Sequence, residues 1–182
     1  AICLRLAAGG ARVLCADRSA EAASHVVTDI TSHGGIAFAL TADIARPEDI
    51  RALFDGLAQR GIGIDGLVLN AGISDRKPLR DITPESWDTI FGVNLRGHAL
   101  CAQAALPAMN SGGAIVFVSS LAAEMPAGRN PAYESSKAGL SALAKGKRFP
   151  RLALQMIQVG EESGALDTML LRTADTFEQE TS

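Results

Sequence analysis

Several features typical of membrane and nucleic-acid-binding proteins are missing from this 182-residue sequence. No apolar run approaches the ~18–20 residues that a membrane-spanning helix needs, and no basic segment followed by an apolar one opens the chain. Lysine and arginine are scattered rather than clustered, and the net charge is only −3. We therefore expect a cytoplasmic protein with no membrane and no nucleic-acid partner.

Cysteine and histidine are also scarce. The three cysteines, Cys3, Cys15 and Cys101, are an odd number and lie far apart in apolar surroundings. This usage predicts free, buried thiols in a reducing compartment. The three histidines show no ligand spacing with one another or with the cysteines, so the sequence predicts no metal site.

The sequence is rich in apolar residues (47%), and short apolar runs alternate with longer segments of helical spacing. That alternation predicts a parallel sheet with crossover helices. The predicted strands are 11–16, 36–40, 64–69 and 114–118, with a weak candidate at 156–159. The predicted helices are 1–8, 19–32, one that starts at Pro47, 84–109, and one that carries Tyr133. We expect one doubly wound α/β domain of Rossmann type over residues 1–182.

Tyr133, Lys137 and Ser120 are the most informative group in the chain. If residues 131–137 open a helix, Tyr133 and Lys137 share one face of it, because they are four residues apart. An ammonium beside a phenol favours the phenolate and lowers the pKa of the tyrosine from about 10 toward neutrality. Such a phenol can give a proton to a carbonyl oxygen or take one from an alcohol. The alternative is a packed tyrosine beside a solvated lysine.

Further motifs accompany this pair in a fixed order. They are Asp17 after a strand, Ala42-Asp43-Ile44, Asn70-Ala71-Gly72, Asn94 within Val93-Asn94-Leu95, and Ser119-Ser120. With these motifs the sequence resembles the short-chain dehydrogenase/reductase family over about residues 1–145 and again at 164–172. The resemblance implies an NAD- or NADP-dependent oxidoreductase that interconverts a small alcohol and a ketone or aldehyde.

The resemblance implies catalytic roles for four residues. Tyr133 would be the general acid/base, and Lys137 would hold the nicotinamide ribose and lower the pKa of the tyrosine. Ser120 would orient the substrate oxygen, and Asn94 would anchor a water that relays protons from Lys137. From the residues alone, Ser119 could take the place of Ser120, and Asn94 could simply hydrogen-bond a neighbouring backbone.

The resemblance also implies cofactor contacts, most of them at strand ends. The implied set is Asp17, Arg18, Asp43, Ile44, Asn70, Ala71, Gly72, Tyr133, Lys137 and Thr168. Asp17 would bind the adenosine ribose and repel a 2′-phosphate, which favours NAD, whereas Arg18 could accept the phosphate of NADP. Asp43 and Ile44 would meet the adenine, and Thr168 the nicotinamide carboxamide. Ordinary turn roles for Asp17 and Asp43 remain open.

Three departures from the family pattern lead us to expect a fold that is incomplete at both ends. The glycine-rich turn that should precede the first helix is absent, and the chain ends before the final strand and most of the substrate lid. The segment 147–163 has the expected length but not the expected character, with Pro150 inside a predicted helix and Ser163 where the family has proline. A shifted reading frame is one hypothesis for that segment.

Two further expectations concern the whole molecule. A non-catalytic dinucleotide-binding or scaffold protein of the same fold is the alternative to an enzyme, and a chain too short to fold stably is a third possibility. The family usually assembles through the helices that correspond to 84–109 and to the Tyr133 helix. We therefore expect a homodimer or homotetramer for the full-length protein.

Overall fold

The computed structural model describes residues 1–145 and the backbone of residues 153–157. Its helices are α1 (Ile2–Ala8), α2 (Ala20–Ser32), α3 (Pro47–Gln59), α4 (Pro84–Phe91), α5 (His98–Ala105) and α6 (Pro131–Lys145). Its strands are β1 (Arg12–Asp17), β2 (Ile36–Thr41), β3 (Ile64–Leu69), β4 (Met109–Val118) and β5 (Ala153–Ile157). Strands and helices alternate, so the predicted α/β class is confirmed.

The described strands pair in parallel and form two sheets. β1 pairs with β2 from Arg12↔Ile36 to Asp17↔Thr41, and the second sheet has the order β3-β4-β5. Among the described strands, β1 and β2 are not hydrogen-bonded to β3, β4 or β5.

Local signals explain where most helices begin. The Ser19 side chain accepts a hydrogen bond from the backbone N–H of Ala22 at 3.2 Å and caps α2. At α4, Thr83 and Ser86 form a reciprocal capping box with Pro84 in the first turn. Pro47 likewise opens α3. The predicted starts at Pro47 and Thr83-Pro84 are therefore confirmed.

The predicted helix over 84–109 is confirmed as helical backbone over residues 84–108, but it is not a regular α-helix throughout. The α-helix stops at Phe91, continues as a π-helical turn over Gly92–Gly97, and resumes as α5. A short 3₁₀ turn, Leu106–Ala108, follows, and Met109 already belongs to β4 rather than to a helix. The π-helical turn contains the buried Asn94, whose side chain hydrogen-bonds the Ile73 backbone rather than its own helix. Such turns occur frequently at functional sites.

The larger hydrophobic core lies between the β3-β4-β5 sheet and helices α3, α5 and α6. Its buried members include Phe54, Ile115, Phe117 and Leu140. A smaller cluster of Val13, Ile30 and Ala37 lies under α2. Full burial of such side chains stabilises the fold by about 1.5–3 kcal/mol each.

The cysteines are free, as predicted, but two of them are in contact. The Cys15 thiol lies 3.4 Å from that of Cys3, although the residues are twelve apart in sequence. Burial, followed by the neighbouring Cys3, raises the pKa of Cys15 to about 12. Burial alone raises the pKa of Cys101 to about 11. Both thiols are therefore protonated and inert at neutral pH.

The last described strand, β5, pairs with β4 from Ala114↔Ala153 to Val118↔Ile157. The strand predicted at 156–159 overlaps β5 only at residues 156 and 157, because Pro150 obscured where regular structure resumes. Most of the atypical segment 147–163 lies outside the described residues. Over the part of the chain that the structure describes, no helix is both long and apolar enough to cross a membrane, and no three His, Cys, Asp or Glu residues are grouped as metal ligands.

Candidate active site

The site lies at the carboxyl ends of β3 and β4, against α6. Asn70-Ala71-Gly72 follows β3 directly, Ser119-Ser120 follows β4, and α6 presents Tyr133 and Lys137. The π-helical turn places Asn94 behind them. Residues far apart in sequence meet here because the carboxyl ends of parallel strands share one edge of a sheet.

Lys137 is buried, with 3% of its surface exposed, yet it carries an ammonium group. Its Nζ donates a 2.8 Å hydrogen bond to the carbonyl of Val118 at the end of β4. The same nitrogen is 5.8 Å from the ring centroid of Tyr133. The predicted shared helix face is therefore present, and the lysine is packed rather than solvated.

The two serines after β4 have different partners. The Ser119 hydroxyl donates to the carbonyl of Lys137 at 3.2 Å and lies 2.8 Å from the Ser141 hydroxyl. Ser119 thus attaches the end of β4 to α6. The Ser120 hydroxyl accepts the backbone N–H of Ala122 at 3.2 Å and caps a short 3₁₀ turn.

Asn94 is fully buried and connects three parts of the site. Its Oδ1 accepts the Ile73 N–H, and its Nδ2 donates to the Ile73 carbonyl, both at 2.9 Å. Nδ2 also donates to Ser136 Oγ at 3.0 Å, and that hydroxyl donates to the Tyr133 carbonyl at 2.7 Å. Both amide hydrogens are therefore used within the protein, while Oδ1 keeps one lone pair.

Gly72 lies next to these groups. A Cβ at this position would lie 3.5 Å from Lys137 Nζ and 3.7 Å from Asn94 Oδ1. Any side chain larger than alanine would therefore extend into the region in front of the lysine. The turn formed by residues 70–72 lies next to the ammonium, and glycine at position 72 adds no side chain there.

The predicted adenosine contacts lie together at the ends of β1 and β2. The Ala42 N–H donates to the carbonyl of Asp17 at 3.1 Å, which brings Asp43 beside Asp17. Each carboxylate also has a turn role: Asp17 accepts from the Ser19 N–H at 2.8 Å, and Asp43 from the Ala45 N–H at 2.9 Å. Asp17 and Arg18 are exposed, and Ile44 packs against the core. Thr168 lies outside the described residues.

Sequence reasoning missed the polar groups that support the site. Glu134 is buried, and its Oε2 accepts the backbone N–H of Gly128 at 3.1 Å, which holds the loop before α6. Asn130 Nδ2 donates to the Ser74 hydroxyl, and its Oδ1 receives the Tyr133 N–H at 3.5 Å. In the sequence, only the position of Asn130, directly before Pro131, indicates that it could cap a helix.

His98 was also missed, because a histidine in an apolar helix looks structural. It is fully buried beside the 70–72 turn. Burial, followed by the charge of Lys137, lowers its pKa to about 4, and an interaction with the Ala71 backbone opposes that shift. His98 is therefore neutral at physiological pH.

Comparison with known proteins agrees with this arrangement. Residues 1–175 match the family model described as short chain dehydrogenase. The chain belongs to the short-chain dehydrogenase family. It is 35% identical over 182 residues to 7alpha-hydroxysteroid dehydrogenase of Escherichia coli K12, covering 98% of this chain and 71% of that protein. It is 37% identical over 129 residues to tetrahydroxynaphthalene reductase PfmaG of Pestalotiopsis fici, or 70% of this chain and 47% of the reductase.

Solved structures show the fold of this family. A metagenomic short-chain oxidoreductase in complex with NADP superimposes with a TM-score of 0.82 at 31% identity, covering 97% of this chain and 83% of that one. The Rossmann fold of the family is therefore the fold of this chain. The chain spans less than half of the length of the fungal reductase.

One similarity is of a different kind. A 45-residue stretch, 24% of this dehydrogenase chain, is 87% identical to Type II secretion system protein F of Xanthomonas campestris pv. campestris, of which it covers 11%. That identity is more than twice the 35–37% shared with the two dehydrogenases above.

Proposed function

We propose that the protein interconverts an alcohol and a ketone or aldehyde by hydride transfer, with Tyr133 as general acid/base. The observation that carries this proposal is the buried Lys137 ammonium, held 5.8 Å from the Tyr133 ring by its bond to Val118. A cation in a low-dielectric setting acts on a neighbouring phenol more strongly than a solvated one does. The pair is thus suited to proton transfer near neutral pH.

The residues present fit a nicotinamide dinucleotide at both of its ends. Exposed Asp17 stands beside Asp43 at the strand ends that would receive the adenosine, and the space kept clear by Gly72 lies in front of Lys137. When bound, the nicotinamide would supply or accept the hydride. Lys137 would hold the ribose hydroxyls on that side, and the 70–72 turn would line the cofactor.

In our proposal, Ser120 and Asn94 assist Tyr133 in different ways. Ser120 follows β4 and would hydrogen-bond the substrate oxygen, whereas Ser119 hydrogen-bonds Lys137 and Ser141. The backbone and Ser136 contacts of Asn94 make it a support for α6. A water that relays protons from Lys137 would have to donate to the remaining lone pair of Asn94 Oδ1.

For the cofactor we propose NAD rather than NADP, on the basis of the Asp17 carboxylate. A negative charge at the ribose would repel a 2′-phosphate. Arg18 is the argument for NADP, since a guanidinium binds phosphate well, and four similar structures contain NADP. The comparisons thus support a nicotinamide dinucleotide without a preference for NAD. Thr168 stays a prediction for the carboxamide contact.

We also propose a homo-oligomer that assembles through α4, the π-helical turn and α6. Trp87 and Phe91 stack at 4.6 Å between ring centroids on the outer side of α4. With Leu95 and Arg96 they border a surface cleft of about 560 Å³. Aromatic and arginine side chains are typical of protein interfaces. Cytoplasmic location remains a prediction from the sequence.

Tyr133→Phe tests the proposed chemistry. The change removes one hydroxyl and keeps the ring, so NADH affinity should stay within about threefold while turnover of secondary alcohols falls by at least about 100-fold. Fluorescence titration and an absorbance assay of NADH measure the two quantities on the full-length protein. Retention of most activity would remove Tyr133 from its role, and NADH binding without turnover in the wild type would favour the scaffold alternative.

A further inference from the structure

Arg96 is a charged residue of the π-helical turn that the proposed chemistry does not use. Its Nη2 donates a 3.0 Å hydrogen bond to the carbonyl of Ala45, which lies 51 residues earlier in the chain. Gly92, one turn before it, leaves room for the guanidinium, since a Cβ there would lie only 3.2 Å from Nη2. The arginine therefore contacts the segment that follows β2 rather than its own helix.

The backbone of the π-helical turn contacts the same segment. A Cβ on Gly97 would overlap the carbonyl oxygen of Ile44, so only glycine at this position permits the approach. We call residues 43–45 the adenine turn, because Asp43 and Ile44 are the residues proposed to meet the adenine. Both the backbone and a side chain of the π-helical turn thus contact the adenine turn.

The adenine turn is shaped by local hydrogen bonds. The Asp43 N–H donates to Asp49 Oδ2 at 3.0 Å, and Asp43 Oδ1 accepts the Ala45 N–H at 2.9 Å. These two bonds join residues at most six apart, so they set the shape of the turn but not its place relative to the rest of the site. The Arg96 bond comes from a distant part of the chain, and it can set that place.

Arg96 connects two parts of the molecule that carry opposite ends of the proposed cofactor site. The adenine turn follows β2, whereas the π-helical turn carries Asn94, which hydrogen-bonds Ser136 on α6. The β1-β2 sheet and the β3-β4-β5 sheet are separate in the described part of the chain. A dinucleotide has to contact both of them at once, so its affinity depends on how they are placed. The bond from Arg96 to Ala45 crosses this division.

We propose, building on the function above, that Arg96 is a positioning residue for the adenosine end of the cofactor. Its bond to Ala45 holds the adenine turn at a fixed place relative to Tyr133 and the nicotinamide. A turn that is held before binding does not have to be ordered by the cofactor, and this raises affinity. Without the guanidinium, NADH should bind about tenfold more weakly, whereas a ligand with no adenosine should bind as before.

The test compares NADH with reduced nicotinamide mononucleotide, which lacks the adenosine. Arg96→Met removes the guanidinium, and Arg80→Met, which changes a side chain that is 86% exposed elsewhere, is the matched control. We expect Arg96→Met to raise the Kd for NADH about tenfold and to leave the Kd for the mononucleotide within about twofold. Arg80→Met should resemble the wild type for both ligands. Fluorescence titration of the full-length protein measures both constants.

A general loss of packing would weaken both ligands equally, and that result would overturn the proposal. An unchanged Kd for NADH in Arg96→Met would overturn it as well. Arg96 also borders the cleft proposed for assembly, so Trp87→Ala is titrated too. If Trp87→Ala weakens NADH as much as Arg96→Met does, the effect belongs to assembly and the proposal fails. If Arg96→Met does not fold, Arg96→Gln, which also removes the guanidinium, must show the selective loss.

These titrations need no turnover, which separates this inference from the proposed function. A wild type that oxidises no alcohol, together with a selective loss of NADH affinity in Arg96→Met, would refute the proposed function and leave the role of Arg96 intact. Alcohol oxidation by the wild type without that selective loss would support the function and refute the role of Arg96.

Discussion

At the scale of single residues, the site depends on a buried cation. An ammonium group removed from water destabilises a fold unless it is well hydrogen-bonded. Lys137 is held by the Val118 carbonyl at 2.8 Å, and its stem is enclosed by β4 and α6. Because its position is fixed, its distance from Tyr133 is fixed too. The proposed acid/base role of Tyr133 depends on this fixed geometry.

Asp17 is the residue that tests cofactor choice. In Asp17→Ala the ribose loses an acceptor and the repulsion of a 2′-phosphate disappears. We expect NAD to bind about tenfold more weakly, a loss typical of a charged hydrogen bond, and NADP to bind as well as before or better. Titration of both cofactors on the full-length protein measures the ratio, with Asp29→Ala on α2 as a control. Equal losses for both cofactors would refute the ribose contact.

The spacing of Tyr133 and Lys137 could be read from the sequence because both lie on one helix. The roles of Ser119 and His98 could not. Ser119 meets Lys137 and Ser141 across eighteen and twenty-two residues of chain, and His98 on α5 is fully buried. Such contacts depend on how elements pack, which the local pattern does not contain. Sequence reasoning therefore predicted the candidate reacting groups and missed several of the contacts around them.

At the scale of elements, β4 and α6 are joined by buried serines. The hydroxyls of Ser119 and Ser141 hydrogen-bond each other, and Ser119 also donates to a carbonyl of α6, in a region that is buried from water. Ser119→Ala should therefore lower the free energy of unfolding by about 1–3 kcal/mol, because Ser141 loses its partner. Denaturant unfolding measures the change, and Ser24→Ala on exposed α2 is the control. A Ser119→Ala variant as stable as the control would mean that the two elements are held by apolar packing alone.

The helix predicted over 84–109 shows which features a sequence pattern does not contain. Thr83 and Pro84 were correctly predicted to start a helix because a capping box is a local signal. The π-helical turn was not foreseen, since it depends on Asn94 reaching Ile73 twenty-one residues away. The start of β4 at Met109 was missed for a similar reason: Met109 pairs with Ile64 across the sheet. A capping box joins neighbouring residues, whereas strand pairing and the hydrogen bonds of the buried Asn94 join residues that are far apart in sequence.

At the scale of the whole molecule, the alternation of strands and helices was enough to predict the parallel α/β class. The cleft beside Trp87 and Phe91 lies on the outer side of α4. That surface is where the proposed assembly would occur.

Sedimentation of the full-length protein tests this assembly. We expect a dimer or tetramer, and we expect Trp87→Ala to move the distribution toward monomer, because the stacked aromatic pair would be at the centre of the contact. Leu79→Ala, which changes a side chain that is 73% exposed elsewhere, is the matched control. A monomeric wild type would contradict the proposed oligomer, and equal effects of both substitutions would contradict this choice of surface.

The central claim is that Lys137 makes Tyr133 more acidic. With one tyrosine in the chain, the absorbance of tyrosinate against pH measures that effect without any substrate. We predict that Lys137→Met, checked for a cooperative thermal transition, moves the midpoint to higher pH, while Lys145→Met at the exposed end of α6 leaves it unchanged. An identical midpoint in the wild type and a folded Lys137→Met variant would contradict the account.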